Sequence, residues 1–214
     1  MKIILIGSSG KMGREIARCL PSGDSIVQKI DCDDVINVKI DADVIIDFST
    51  ARNRTAYIEF ASRKKIPYCC FATGISNEDV ELFKQLAQRN PVLLCSNASV
   101  GVNLMFELVE MVSKKTQNAD IVLTEYHHKG KKDAPSGTAK KIENIVTSSG
   151  KNVTTKAFRV GNECGTHVIQ FFFEDEILEI KHEAKSRKIF AIGAIEMARD
   201  ICKRKKGLYK NKNA

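Results

Sequence analysis

No stretch of the 214-residue sequence approaches the roughly 18 consecutive apolar residues that a membrane span requires. The first apolar run, 3–6, is also too short for the core of a secretory signal. A membrane protein is therefore not expected, and the chain reads as cytoplasmic. Cysteine supplies no framework either. The seven cysteines are odd in number and follow neither a C-x-x-C nor a His/Cys metal spacing, and Cys69 and Cys70 are neighbours inside an apolar run. They read as reduced, small core residues, and no metal site is expected. Internal repeats, low-complexity tracts and recognised nucleic-acid-binding signatures are missing as well. The net charge of +8 thus does not argue for nucleic acid: much of the excess sits in Lys203-Arg204-Lys205-Lys206, Lys210 and Lys212, which reads as a frayed basic tail. A basic surface also suits an anionic substrate and cofactor.

What is present is enough apolar material, 43% of the residues, for a sizeable core in one large or two small domains. Short apolar runs at 3–6, 26–30, 44–48, 66–71 and 92–95 alternate with helical patterns at 12–20, 51–63 and 77–89. That alternation predicts βαβ units. Because the runs are continuous rather than alternating, the strands should be covered on both faces, as in a parallel sheet between two helical layers. After Ser96 the pattern changes to a long helix at 100–115, a strand at 121–126, a loop, and a helix from about 137 to 148. An antiparallel-looking pair, 166–173 and 177–182, is joined by Glu174-Asp175-Glu176, short enough for a hairpin. His167, Ile169, Phe171 and Phe173 share one face of this pair with Leu178, Ile180 and His182. A last helix at 189–204 precedes the tail.

Gly7-Ser8-Ser9-Gly10-Lys11-Met12-Gly13-Arg14 follows the first strand and opens the first helix. The spacing is G-x-x-G-x-x-G rather than G-x-G-x-x-G, but the physics is the same. Backbone amides can approach a pyrophosphate, and the helix N-terminus favours its charge. An acidic residue ending the second strand should bond the adenosine ribose, and Asp31 stands there, with Asp33 and Asp34 crowding the same loop. Lys11 is suited to a 2′-phosphate instead, so the chain holds one feature for NADH and one for NADPH.

The most informative stretch is Glu125-Tyr126-His127-His128-Lys129-Gly130-Lys131-Lys132-Asp133-Ala134-Pro135-Ser136-Gly137-Thr138. If the preceding strand stays extended, His127 and His128 point to opposite sides, so only one can serve as the acid. Pro135 near a first helical turn, followed by Ser136, Gly137 and Thr138, would offer N–H groups and a hydroxyl at the positive end of a helix. With two histidines and Lys131 nearby, the segment suits a substrate with two carboxylates that must also gain a proton. Ser136 lies in this turn rather than in a nucleophile elbow, and His167 and His182 read as hydrogen-bonded structural histidines.

The motif E-x-H-H-x-x-K-x-D-A-P-S-G-T-A resembles the signature of the dihydrodipicolinate reductase family. The resemblance extends over nearly the whole chain, through the glycine loop, Asp47-Phe48-Ser49, Asn97-Ala98-Ser99-Val100-Gly101-Val102-Asn103, Arg159-Val160-Gly161 and His182-Glu183-Ala184-Lys185-Ser186-Arg187. It implies an α/β protein: a Rossmann-like parallel-sheet domain (1–98 with 187–214), and a smaller α+β substrate and oligomerisation domain (99–186) with a mixed or antiparallel sheet. It further implies a homotetramer and NAD(P)H-dependent reduction of 4-hydroxy-tetrahydrodipicolinate in diaminopimelate and lysine biosynthesis. By the same resemblance, His127 is the general acid and Lys131 its catalytic partner, while His128, Gly137 and Thr138 hold the substrate. Phe71, Ala72 and Thr73, and Cys95, Ser96, Asn97 and Ala98, match the loops on the nicotinamide side. There are three departures from the family pattern: Phe71-Ala72-Thr73-Gly74 replaces Gly-Thr-Thr-Gly, Ala98 replaces an aromatic residue, and Lys11 replaces an arginine.

Overall fold

The computed structural model describes residues 1–214 except 32, 33, 50–52, 73, 74 and 211–214. Along the chain the elements are β1 (Lys2–Ile6), α1 (Lys11–Arg18), β2 (Ser25–Ile30), β3 (Val44–Asp47), α2 (Arg54–Lys64), β4 (Tyr68–Cys70), α3 (Asn77–Ala87) and β5 (Pro91–Leu94). There follow α4 (Val100–Lys115), β6 (Asp120–His127), α5 (Gly137–Ser148), β7 (Thr154–Arg159), β8 (Thr166–Phe172), β9 (Ile177–Glu183), α6 (Lys188–Ile201) and β10 (Gly207–Lys210). They group into two compact units, Met1–Ser99 with Lys188–Ala214, and Val100–Arg187.

The first unit is built on a six-stranded sheet in the order β10-β5-β4-β3-β1-β2, with every neighbouring pair parallel. The unbroken apolar character of β1 has the expected cause. Ile4 and Ile6 join a core that includes Phe60 of α2 and Phe83 of α3, while Ile3 and Leu5 join another with Ile16 of α1 and Ala191, Ala194 and Ala198 of α6. Each strand residue thus meets a helix on its own side of the sheet. The edge strand β2 departs from this: most of it is only half-buried or exposed, because it has a partner on one side alone.

A buried charge cluster joins the end of β3 to the starts of α2 and α3. Asp47 accepts bonds from the Tyr68 hydroxyl (2.8 Å) and the Ser49 N–H (2.7 Å). Arg54, at the start of α2, lies 3.7 Å from Asp47 and pairs with Asp79 in the first turn of α3. The cluster ties together the ends of three elements.

The basic tail is the first correction to the sequence reading. Residues 207–210 form β10 and pair with β5 from Gly207↔Pro91 to Lys210↔Leu94. Leu208 packs toward one core and Tyr209 toward the other, so an apolar pair hidden among lysines is enough to hold a strand. Arg204 bonds Asp200 (2.7 Å) and lies over the Tyr209 ring. Lys212 lies outside the described residues.

The second unit holds a four-stranded mixed sheet, β7-β6-β8-β9, in which β6 pairs parallel with β7 and antiparallel with β8, and β8 antiparallel with β9. The expected hairpin is present, with Ile169 opposite Ile180 and Phe171 opposite Leu178. Ile121, Leu123, Ile169 and Phe171 form a core with Val102, Met105, Phe106 and Val109 of α4 and Ala139, Ile142 and Val146 of α5. Strand β7 was not anticipated, since Thr154–Arg159 lacks an apolar face and is mostly exposed at the sheet edge.

Truncation after Lys206 should lower stability by about 2–4 kcal/mol, through lost ladder bonds and the re-exposed parts of Leu208 and Tyr209. Urea denaturation measures this, and an unchanged midpoint would mean that β10 contributes nothing.

Candidate active site

Strand β6 alternates strictly, so Ile121, Leu123, Glu125 and His127 share its buried face. The first two are core. The last two reach the strand's end, where apolar packing gives way to a polar cluster assembled from three neighbouring strands. Glu125 stands opposite His167 on β8, and His127 pairs in register with Arg159 on β7.

Glu125 is fully buried. Its Oε1 accepts the Ser136 backbone N–H (3.0 Å) and Arg159 Nη2 (3.1 Å). Its Oε2 faces two imidazoles, His167 Nε2 at 3.4 Å and His127 Nδ1 at 3.5 Å. The rings of His127 and His167 meet edge to face with centroids 5.2 Å apart. Arg159 also donates to the Asp133 carbonyl, so it bridges β7, β6 and the loop before α5.

The electrostatics follow from this geometry. Burial alone would raise the Glu125 carboxyl, but bonds from His167, Ser136 and Arg159 outweigh it and hold it at about 2. His127 is pushed down to about 4, chiefly by burial, with His167, Lys131 and Arg159 adding to the effect and Glu125 opposing it. At neutral pH the cluster therefore holds an anionic carboxylate beside a neutral imidazole.

Ser136 caps α5. Its hydroxyl accepts the Ala139 N–H (3.2 Å) and lies 3.1 Å from His167 Nε2. The N–H and hydroxyl of Ser136, expected to face a ligand, both have partners within the fold. Gly137 and Thr138 begin the helix proper, at the positive end of its dipole, and the space a Cβ would fill at Gly137 is open. Lys131 is held near Asp133 (2.8 Å) in a half-exposed pair, and such pairs exchange partners at little cost. His128 is half-buried, and its carbonyl accepts the Lys131 N–H.

Gly165 completes the setting. Its φ is +151°, and a Cβ there would lie 3.1 Å from His127 Nε2. The glycine keeps that nitrogen clear.

Glu125, His127 and His167 also bring three ligand-type atoms within 4.8 Å of one another, a grouping that their spacing in sequence conceals. Ser136 and Arg159 already engage His167 and Glu125, and the positive field that lowers His127 opposes a dication too. The arrangement suits proton handling.

In the first unit, Gly7, Ser8, Ser9 and Gly10 connect β1 to α1, and Lys11 and Met12 open the helix. Gly13 is required sterically, since a Cβ there would lie 2.3 Å from the Gly7 carbonyl and 2.6 Å from Ser8 Cα. The helix start therefore presses onto the loop, a cradle shaped for close backbone approach to a phosphate. Asp31, at the end of β2, accepts Ser9 N–H (2.9 Å) and Ser8 Oγ (3.0 Å). Burial opposes its ionisation, but these bonds prevail and hold its carboxyl below the ordinary range. It braces the loop, and Arg14, to which the sequence reading gave no role, adds a bond from Nε to the Ser9 carbonyl (2.8 Å).

Phe71 and Ala72 follow β4 and are buried, with Phe71 stacked on Phe48 at 5.0 Å. Thr73, Gly74 and Asp33 lie outside the described residues. Cys95 and Ala98, after β5, are buried, Ser96 is exposed and Asn97 is half-buried. The Cys95 thiol donates to the Asn97 carbonyl (2.9 Å). All these loops leave the carboxyl ends of adjacent parallel strands, where open α/β sheets bind ligands.

Comparison with known proteins gives a consistent result. Two family models match the chain: "Dihydrodipicolinate reductase, N-terminus" over residues 22–98 and "Dihydrodipicolinate reductase, C-terminus" over residues 101–214. The chain is 33% identical to the 4-hydroxy-tetrahydrodipicolinate reductase of Brachyspira hyodysenteriae, covering 98% of this chain and 97% of that protein. It is 35% identical to the enzyme of the same name from Rickettsia rickettsii, covering 92% of each. Among solved structures, a dipicolinate-bound dihydrodipicolinate reductase from Paenisporosarcina sp. TG-14 matches with a TM-score of 0.83 and 19% identity, over 98% of this chain and 97% of that one. An aspartate dehydrogenase from Thermotoga maritima matches with a TM-score of 0.53 and 12% identity, over 94% of this chain and 96% of that one. At such identities these structures speak to the fold.

The unfolded-state value for His127 is 6.5 and the folded one about 4, so the unfolded chain binds more protons between them and stability must fall as pH drops through that window. Glu125, ordinarily 4.5 and here about 2, adds a further loss at lower pH as it is protonated. His127→Gln should flatten the decline in melting temperature between about pH 6.5 and 4. An equally steep decline in the variant would show that His127 is not the titrating group.

Proposed function

The chain belongs to the dihydrodipicolinate reductase family, and from that premise we propose that it reduces 4-hydroxy-tetrahydrodipicolinate, by way of dihydrodipicolinate, to tetrahydrodipicolinate in diaminopimelate and lysine biosynthesis. The observation that carries this reading is the assembly of His127, its carboxylate partner Glu125, Lys131 and the start of α5 at one end of one sheet. A dicarboxylate that must gain a proton matches this set of groups.

In this reading the first unit holds the nicotinamide cofactor and the second the substrate. The Gly7 to Gly13 cradle, braced by Asp31, would take the pyrophosphate, and Phe71, Ala72, Thr73, Cys95, Ser96, Asn97 and Ala98 would line the nicotinamide side. Bound NAD(P)H would supply a hydride for C4 of a ring imine conjugated with a carbon–carbon double bond, formed when the hydroxylated substrate loses water. His127 delivers the proton, directly or through a bound water. Lys131 stabilises developing negative charge and a carboxylate. Gly137 and Thr138, at the helix start, and His128 hold the carboxylates.

Asp31 favours a ribose hydroxyl while Lys11 tolerates a 2′-phosphate, so NADH and NADPH should both serve. Exposed apolar side chains on the second unit, Phe158, Val160, Ile177 and Leu178, suit the homotetramer of this reading. A thiol mechanism finds no support, because Cys95 is buried and its thiol engaged by Asn97.

The decisive assay couples the protein to a synthase that makes the hydroxylated substrate from pyruvate and aspartate semialdehyde, and follows the absorbance of NADH or NADPH. Turnover with both nicotinamides is expected, and absence of turnover with either would overturn the reading. Within that assay, His127→Gln should lower kcat by about 10²- to 10⁴-fold and Lys131→Ala at least as much, with NADPH binding near normal. His128→Gln should mainly raise KM. The reverse pattern would exchange the roles of the two histidines.

A further inference from the structure

The family reading needs a proton donor, yet His127 sits neutral in a buried, positively charged neighbourhood. A neutral imidazole carries one proton, and which nitrogen holds it decides what the ring can do. Among the described residues, the acceptor facing Nδ1 is Glu125 Oε2 at 3.5 Å; Nδ1 has no hydrogen bond elsewhere, and the other neighbour of Oε2 is His167 Nε2 at 3.4 Å. That separation is slightly beyond a hydrogen bond, and a small turn of the ring closes it. The other nitrogen, Nε2, lies where Gly165 leaves room.

Glu125 is not free to move away. Ser136 N–H and Arg159 Nη2 both hold Oε1, and Ser136 is fixed in turn as the cap of α5. The second oxygen is therefore aimed at the imidazoles by the same bonds that start the helix.

We propose that Glu125 is a positioning residue for the reduction: it keeps a proton on Nδ1 of His127 and so reserves Nε2 as the atom that takes up a second proton when the dicarboxylate binds, and then gives it to the substrate. The balance is simple. One proton enters from solvent with the dianionic ligand, one leaves Nε2 as hydride arrives from the cofactor, and the ring returns to its neutral Nδ1–H form. The groups facing His127 are Glu125 on its own strand, His167 on β8, Arg159 at the end of β7 and Lys131 in the following loop. Of these Glu125 alone favours the imidazolium, and two incoming carboxylates would add to it. His167, 3.1 Å from Ser136 Oγ, steadies the arrangement from the other side.

This inference rests on the reductase reading, but it can fail separately. Dipicolinate is titrated calorimetrically into the protein–NADH complex in buffers of different ionisation enthalpy at about pH 7.5, and proton uptake is extracted. The wild type should take up roughly one proton, His127→Gln close to none, and Glu125→Gln less than half as much as the wild type. In the coupled assay Glu125→Gln should lower kcat by about 10- to 100-fold with the KM for cofactor within about threefold. Added to His127→Gln, it should change kcat less than about threefold, because both act through one ring. Multiplying effects, or uptake unaltered by Glu125→Gln, would overturn the proposal. Should Glu125→Gln fail to fold, Gly165→Ala tests the same geometry by crowding Nε2. It should cut kcat at least about tenfold with cofactor KM preserved, and full activity would rule out Nε2 as the delivering atom. If the wild type oxidises neither nicotinamide with the hydroxylated substrate, the reductase reading falls. Proton uptake on dipicolinate binding would still report on Glu125 and His127 independently.

Discussion

The second unit is organised around one buried carboxylate. An isolated ion inside a protein costs far more free energy than a domain can spare, so Glu125 has to be surrounded by donors. It is: the start of α5 contributes Ser136, the end of β7 contributes Arg159, and β8 contributes His167. Removing one partner of such a buried pair typically costs about 3–5 kcal/mol, more than most single contacts in a small unit. The requirement to satisfy Glu125 therefore fixes the register of three strands and the first turn of a helix. His127, two residues along the same face, inherits its orientation from that arrangement.

The first unit solves a different problem with less charge. Its inner strands are continuous apolar runs whose alternate residues feed two cores, and the parallel order brings the loops out at one edge of the sheet. At that edge Gly13 lets α1 touch the loop backbone, and Asp31 ties the loop to the end of β2. The Asp47–Arg54–Asp79 cluster joins the end of β3 to the starts of α2 and α3.

Much of this was legible from residue order. Hydrophobic runs revealed the βαβ alternation because both faces of the inner strands are buried, and α4 and α5 begin and end where periodicity and capping residues place them. Two of the edge strands were not legible. Thr154–Arg159 has no apolar face, and Leu208 and Tyr209 are too few to stand out from the surrounding lysines, so β7 and β10 were missed. The first omission hid part of the site, since Arg159 reaches Glu125 only through the pairing of β7 with β6. Glu125 and His127 were two positions apart in a strand, which already put them on one face. His167 faces Glu125 by antiparallel register, but nothing in its own neighbourhood of the sequence distinguishes it from a structural histidine. Ser136 was read for its position at a helix start, whereas its contacts depend on a carboxylate eleven residues earlier.

The central claim is that a fixed carboxylate sets the proton inventory of His127. Nitrogen-15 NMR of the His127 ring tests it most directly, because the two ring nitrogens report protonation separately. At neutral pH the account predicts a proton on Nδ1 and a bare Nε2 before ligand is added, and protons on both nitrogens once dipicolinate saturates the protein in the presence of cofactor. A proton found on Nε2 with Nδ1 bare in the free protein, or a ring that stays neutral when dipicolinate is bound, would contradict it.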